Sequence, residues 1–227
     1  MSDRGILCRG VVLADTERVI RDPAAWWTAG RETRPRRWPI DLLVAHWTAG
    51  PPREGPTAGR LLFRAMEARR GQSGDDLSVS VHFSISWDGM IWQHLDLADA
   101  AVHVGHRPTL ARSIGVECMW PGTAAQAAKI GADGEAVLRR IDGAAVRAMR
   151  PSDALLDAWR WLAEALARGG ADGLEIPRKA APADRRLTAG ELARTRGAIE
   201  HLHVTGTTKI DAAGLLVAAL GWPDALA

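Results

Sequence analysis

Three side chains in this sequence offer lone pairs that a divalent metal takes well. His46 ends the apolar run Leu42-Leu43-Val44-Ala45, and far downstream His201 and Asp211 bracket a polar segment. One imidazole at the end of a buried strand means little, but two imidazoles and a carboxylate are a set that holds zinc and leaves a coordination position for water and substrate. Between His201 and Asp211 a strand-like start gives way to a polar turn able to fold the carboxylate back toward His201. Lys209 lies two residues before Asp211, where a cation would neutralise the oxyanion formed when water adds to a carbonyl. On these residues the chain reads as a zinc hydrolase. The bland alternative is that His46 and His201 are satisfied core imidazoles, and His203 is a rival ligand.

The elements that must position these groups follow from periodicity. Ile40 to Ala45 is a continuous apolar run, the pattern of a strand covered on both faces, and His46 sits at its carboxyl end, where open α/β sheets place their ligands. Ser78 to Ser86 alternates, with Val79, Val81, Phe83 and Ile85 on one side and His82 among serines on the other; Asp88-Gly89 then turns the chain into Met90 to Leu95. In a further strand Ile114, Val116 and Cys118 face the core, which puts Glu117 on the face that Gly115 leaves open. A bare buried carboxylate is costly, so Glu117 is either paired or functional. Ala58 to Arg70 predicts a helix stopped by Gly71. Ser152 predicts the N-cap of another, with Leu155, Trp159, Leu162 and Leu166 in one stripe.

Val11-Val12-Leu13 and Arg18-Val19-Ile20 around Asp15-Thr16 predict an N-terminal hairpin, followed by an Arg- and Pro-rich linker. Val137 to Ile141 and Ala144 to Met149 around Asp142-Gly143 predict an inserted hairpin bearing Arg139, Arg140 and Arg147, read as a solvated face with wall-polymer contact as the minor reading. The fold class is α/β, a mixed central sheet flanked by helices with an N-terminal hairpin addition. Residues 1–37 form the extension and linker, and 38–227 one domain with an insert at about 123–150. Glu175 to Ala189 reads as a polar loop, and His94 and His106 as surface or loop residues.

Composition narrows the classes. The chain has 227 residues, 47% of them hydrophobic and 25% charged, enough for one substantial core. Its net charge of +2 comes from scattered Arg, which does not imply nucleic acid. Cys8 and Cys118 are the only cysteines, too few for a disulfide framework. The first residues lack the pattern of a secretory signal and no run reaches the length of a membrane span, so synthesis is expected to end in the cytosol. Ten Trp against no Tyr is unusual; most of these indoles are expected to fill core.

Five blocks, in order from Leu42 to Gly214, resemble the type 2 zinc-dependent N-acetylmuramoyl-L-alanine amidases, whose fold is shared with peptidoglycan recognition proteins. They are Val44-Ala45-His46-Trp47-Thr48-Ala49, the segment Val79 to Ile85 with Asp88-Gly89, Ala101-Val102-His103-Val104-Gly105, Ser113-Ile114-Gly115-Val116-Glu117, and His201 through Lys209 to Asp211 and Gly214. The resemblance implies that His46, His201 and Asp211 bind one zinc per chain, that Glu117 handles protons and that Lys209 steadies the oxyanion. It also implies a substrate groove near His82, His103 and Trp47, with His203 at the position of an acidic residue beside the ligands. The implied substrate is peptidoglycan or muropeptides, cut at the amide between N-acetylmuramic acid and L-alanine by a monomer. A phage or prophage endolysin released through a holin-type pore is the favoured setting. A cytosolic anhydromuropeptide amidase of wall recycling and a non-catalytic binding module are the alternatives. Three departures stand out: Ala212 follows Asp211 where the family has Pro, Val102 replaces a groove Trp, and Val81 stands where some members carry a catalytic Tyr.

Overall fold

The computed structural model describes residues 4–14, 17–26, 33–34, 36, 39–68, 79–169, 173–205 and 211–226. Its strands are β1 (Ile6–Cys8), β2 (Val11–Ala14), β3 (Val19–Arg21), β4 (Thr33–Arg34), β5 (Leu42–Trp47), β6 (Phe83–Ile85), β7 (Ile91–Gln93), β8 (Ala100–Ala101), β9 (Ser113–Cys118), β10 (Ala136–Ile141), β11 (Ala144–Met149) and β12 (Gly197–Glu200). Its helices are α1 (Ala58–Ala68), α2 (Arg107–Ala111), α3 (Ala124–Lys129), α4 (Asp153–Ala167), α5 (Ala189–Arg194), α6 (Leu202–Thr205) and α7 (Leu215–Leu220), with short 3-10 turns at Pro23–Ala25 and Asp211–Gly214.

A six-stranded mixed sheet runs in the order β12-β5-β9-β6-β7-β3, parallel throughout except where β6 meets β7. The continuous apolar run of β5 is explained by its place: it lies between β12 and β9 and is buried along its whole length. Side chains alternate across a strand, so Leu43, Ala45 and Trp47 enter the main core with α4, while Leu42 and Val44 enter a second core with Ile199, Val104 and Leu110. His46 shares the face of Leu42 and Val44.

The α4 stripe forms as its periodicity predicts. Ser152 caps the helix by accepting from the Leu155 N–H, and Leu155, Trp159, Leu162 and Leu166 are all buried. Each contributes roughly 1.5–3 kcal/mol by leaving water. The inserted hairpin is also present, with Asp142 at φ 51° and Gly143 at φ 80° giving the turn its left-handed pair of residues.

Other expectations need correction. The N-terminal hairpin joins β1 to β2 around Arg9-Gly10, while the Arg18 to Ile20 segment supplies β3, which pairs in parallel with β7 at the sheet edge. The reason is burial: Val19 is fully buried at that edge, whereas Val11 and Val12 remain exposed. Only Phe83–Ile85 of the alternating segment is strand; Val79 is exposed and Ser78 lies outside the described residues, as do Arg69 to Gly71 beyond α1. Helices α3 and α5 escaped the sequence reading, although each opens on a capping box, Thr123 with Gln126 and Thr188 with Glu191. Trp47, Trp92, Trp120 and Trp159 are buried, the core role expected of the indoles.

Candidate active site

Parallel pairing aligns the functional side chains in a row across the sheet. His46 pairs in register with Glu117 of β9, and Glu200 of β12 with Ala45, after which the His201 N–H donates to the Ala45 carbonyl at 3.0 Å. Residues in register on neighbouring strands, about 4.8 Å apart, project to the same face. His201, His46 and Glu117 therefore occupy three adjacent strand ends, and all three are at most 9% exposed.

Within that row the two imidazoles face each other, with His46 Nδ1 and His201 Nδ1 3.1 Å apart and the rings edge to face. Two nitrogens bound to one tetrahedral zinc at about 2.0–2.1 Å stand about 3.3 Å apart, so this pair has the chemistry and spacing of two zinc donors. Among the described residues no group of three His, Cys, Asp or Glu side chains could hold a metal. The third expected ligand is the reason: the backbone of Asp211 opens the 3-10 turn, but its side chain lies outside the described residues, as does all of Lys209.

A third imidazole completes the cluster. His46 Nε2 lies 3.0 Å from His103 Nδ1, and His103 Nε2 lies 3.0 Å from the Ser113 hydroxyl. Burial holds His103 well below the usual imidazole range, with the neighbouring His46, His82, His201 and Arg36 adding to the effect. Gly115 alone predicts open space beside Glu117. That space is filled: a Cβ on Gly115 would come within 2.5 Å of the His103 ring, so glycine is what admits this imidazole against the sheet.

The remaining candidates take different places. His82 is fully buried: its Nδ1 accepts from the Gly115 N–H at 3.0 Å, and its Nε2 lies 3.0 Å from the Asp99 carbonyl and 2.6 Å from Arg36 Nη2. Trp47 lies on the opposite face of β5 from His46, packed at right angles on Trp120, with Gly122 giving it room. His203 accepts from the Glu200 N–H through Nδ1 and lies 2.9 Å from the Pro182 carbonyl through Nε2, so both nitrogens are spent on backbone. His94 is a correction. It is buried between the Ser84 hydroxyl and the Ala25 carbonyl, and burial lowers its pKa to about 4.

Two residues were missed. Glu200 is buried on the face opposite His201 and accepts from the N–H groups of Gly214, Leu216 and Val217, tying the 3-10 turn that begins at Asp211 to the strand that ends at His201. Burial pushes its pKa up to about 8, against those three donors. Arg36, read as linker, donates to the carbonyls of Leu97 and Ser113 and reaches His82. Periodicity marks Glu200 as a polar residue in a buried strand. Nothing separates Arg36 from its neighbouring arginines.

With this geometry in view the comparisons are decisive for the family. Residues 36–211 match the model of the N-acetylmuramoyl-L-alanine amidase family. The chain belongs to that family. Membership makes it a peptidoglycan-directed hydrolase in general terms. No curated protein matches the sequence. Among solved structures, the fold is similar to that of Drosophila peptidoglycan recognition protein SD, with 14% identity, a TM-score of 0.56, and 91% of this chain and 95% of that one covered. Peptidoglycan recognition protein LE, solved with tracheal cytotoxin, a monomeric diaminopimelic acid-type peptidoglycan, is 17% identical with a TM-score of 0.54, covering 92% and 95%. Human PGRP-IβC, in complex with glycosamyl muramyl pentapeptide, is 12% identical with a TM-score of 0.54, covering 86% and 89%. At these identities the likeness establishes the fold. Among the described residues no helix is long and apolar enough to cross a membrane.

Proposed function

We propose that this chain is a zinc-dependent hydrolase of the amide between N-acetylmuramic acid and L-alanine, with His46, His201 and Asp211 holding one zinc. The observation that carries the reading is the pair of buried Nδ1 atoms, 3.1 Å apart, on strand ends in register with Glu117. A bound zinc supplies Lewis acidity and a water whose pKa is lowered toward about 7. The protein's own groups do the rest. Glu117 takes the proton of the attacking water and delivers it to the leaving amine, and the positive charge of Lys209 would offset the developing oxyanion. Burial of the row removes competing water and strengthens each of these interactions.

The peptide and glycan partner is peptidoglycan, either intact wall or soluble muropeptide. An endolysin made in the cytosol and released to the wall is one setting, and a monomeric amidase of soluble anhydromuropeptides is the other. Two of the fold relatives were solved with small peptidoglycan fragments, which favours the soluble substrate. The same likeness keeps a second reading, recognition of peptidoglycan without cleavage. Mass analysis of sacculi and of soluble anhydromuropeptides after incubation with zinc-loaded protein separates them. Release of peptides with a free N-terminal L-alanine supports the amidase, the faster pool identifies the setting, and bound but uncut fragments overturn it in favour of recognition.

A further inference from the structure

We propose that His103 is a positioning residue that sets the tautomer of His46, holding the proton on Nε2 so that the Nδ1 lone pair faces His201. The inference deepens the zinc reading and rests on it for its purpose, although the hydrogen-bond chain itself stands without metal.

The chain runs through four groups. The Ser113 hydroxyl has one proton, and the Leu110 carbonyl lies 3.5 Å away to receive it. Its oxygen is then free to accept from His103 Nε2 at 3.0 Å. A neutral imidazole carries a single N–H, so His103 Nδ1 is left as an acceptor, and it stands 3.0 Å from His46 Nε2. That acceptor draws the His46 proton to Nε2 and leaves Nδ1 unprotonated toward His201 Nδ1 at 3.1 Å. Reversed, the chain would place a proton on His46 Nδ1, where it would obstruct a metal.

The surroundings fix His103 for this task. Gly115 admits the ring flat against β9, since any Cβ there would meet it at 2.5 Å. The preceding residue is pinned on both sides, with the Val102 N–H donating to the Ser80 hydroxyl at 2.8 Å and the Ser80 N–H to the Val102 carbonyl at 3.0 Å. Ser113 and Gly115 lie on the same face of β9 as Glu117. One strand thus carries the end of the relay, the space for its ring and the residue opposite His46. Partners that orient a ligating imidazole typically change metal affinity 10- to 100-fold when removed.

The test is a zinc affinity measured by chelator competition, with the histidine tautomers read by long-range proton–nitrogen NMR on the metal-free protein. Metal-free wild type should show His46 protonated on Nε2. His103→Ala should weaken zinc about 10- to 100-fold and mix the His46 tautomers. His103→Asn, which keeps an acceptor near the Nδ1 position, should recover most of the affinity, and Ser113→Ala should show a smaller loss. A His46 protonated on Nδ1 in metal-free wild type, or a folded His103→Ala protein with wild-type affinity, overturns the proposal. If His103→Ala does not fold, the wild-type spectrum and Ser113→Ala decide. Wild type that binds no zinc instead defeats the proposed function, and the tautomer assignment is then judged on the spectrum alone.

Discussion

Buried histidines occur in two regions of this molecule, and they are satisfied in different ways. At the carboxyl ends of β5 and β12, His46, His103 and His201 face one another, nitrogen to nitrogen at 3.0 and 3.1 Å. At the far side of the sheet and behind β12, His94 and His203 give at least one nitrogen to a backbone carbonyl, at Ala25 and Pro182, and take their other partner from Ser84 or the Glu200 N–H. The second arrangement is self-sufficient: each donor meets an acceptor, and burial lowers both pKa values to about 4. In the first, each imidazole is partnered by another imidazole, so which nitrogen carries the proton is set by the neighbouring ring. Burial alone therefore does not distinguish a structural imidazole from a functional one; the identity of its partner does.

Substitutions should separate the two regions. His46→Ala should abolish stoichiometric zinc binding and all amide cleavage, measured by metal analysis and peptide release. Glu117→Gln should retain zinc while losing about 10²- to 10⁴-fold in turnover, because proton transfer is removed and a nearly isosteric amide remains. His203→Ala should do the converse. Zinc should stay bound, but the Glu200 N–H and the Pro182 carbonyl lose a partner, costing about 1–3 kcal/mol in denaturant unfolding.

His94 provides a pH test of the self-sufficient region. Its folded pKa of about 4 lies below the ordinary 6.5, so the unfolded chain binds more protons between those values. The stability it contributes is complete above about pH 6.5 and is lost as pH falls toward 4. His94→Gln, which cannot be protonated, should reduce the slope of unfolding free energy against pH across that window, with His203 supplying part of what remains. The smallest effect belongs to His106, exposed beside Thr109, where His106→Ala should change stability by about 0.5 kcal/mol or less and leave zinc unaffected.

Much of this arrangement was legible because it rests on local patterns. The run before His46 announces a strand covered on both faces, the stripe from Leu155 to Leu166 announces α4, and Asp142-Gly143 announces the hairpin turn. The alternation of β9 gave Glu117 its face and Cys118 the core. What stayed hidden depends on partners distant in sequence. Gly115 reads as an opening until His103, from a loop twelve residues earlier, is seen to fill it. His94 reads as a surface residue until Ala25 and Ser84 close around it. Glu200 shows its purpose only when α7 returns to receive its carboxylate. The edge pairing of β3 with β7 joins segments some seventy residues apart, a choice that no local pattern records.

The proposed chemistry depends on which imidazoles meet a metal, and one titration addresses this directly. Zinc added stepwise to the metal-free protein, followed by the ring-nitrogen resonances of all seven histidines, should move Nδ1 of His46 and of His201 at one equivalent, while His82, His94 and His203 keep their metal-free positions. Zinc that moves His203 in place of His201, or moves no histidine at all, would contradict it.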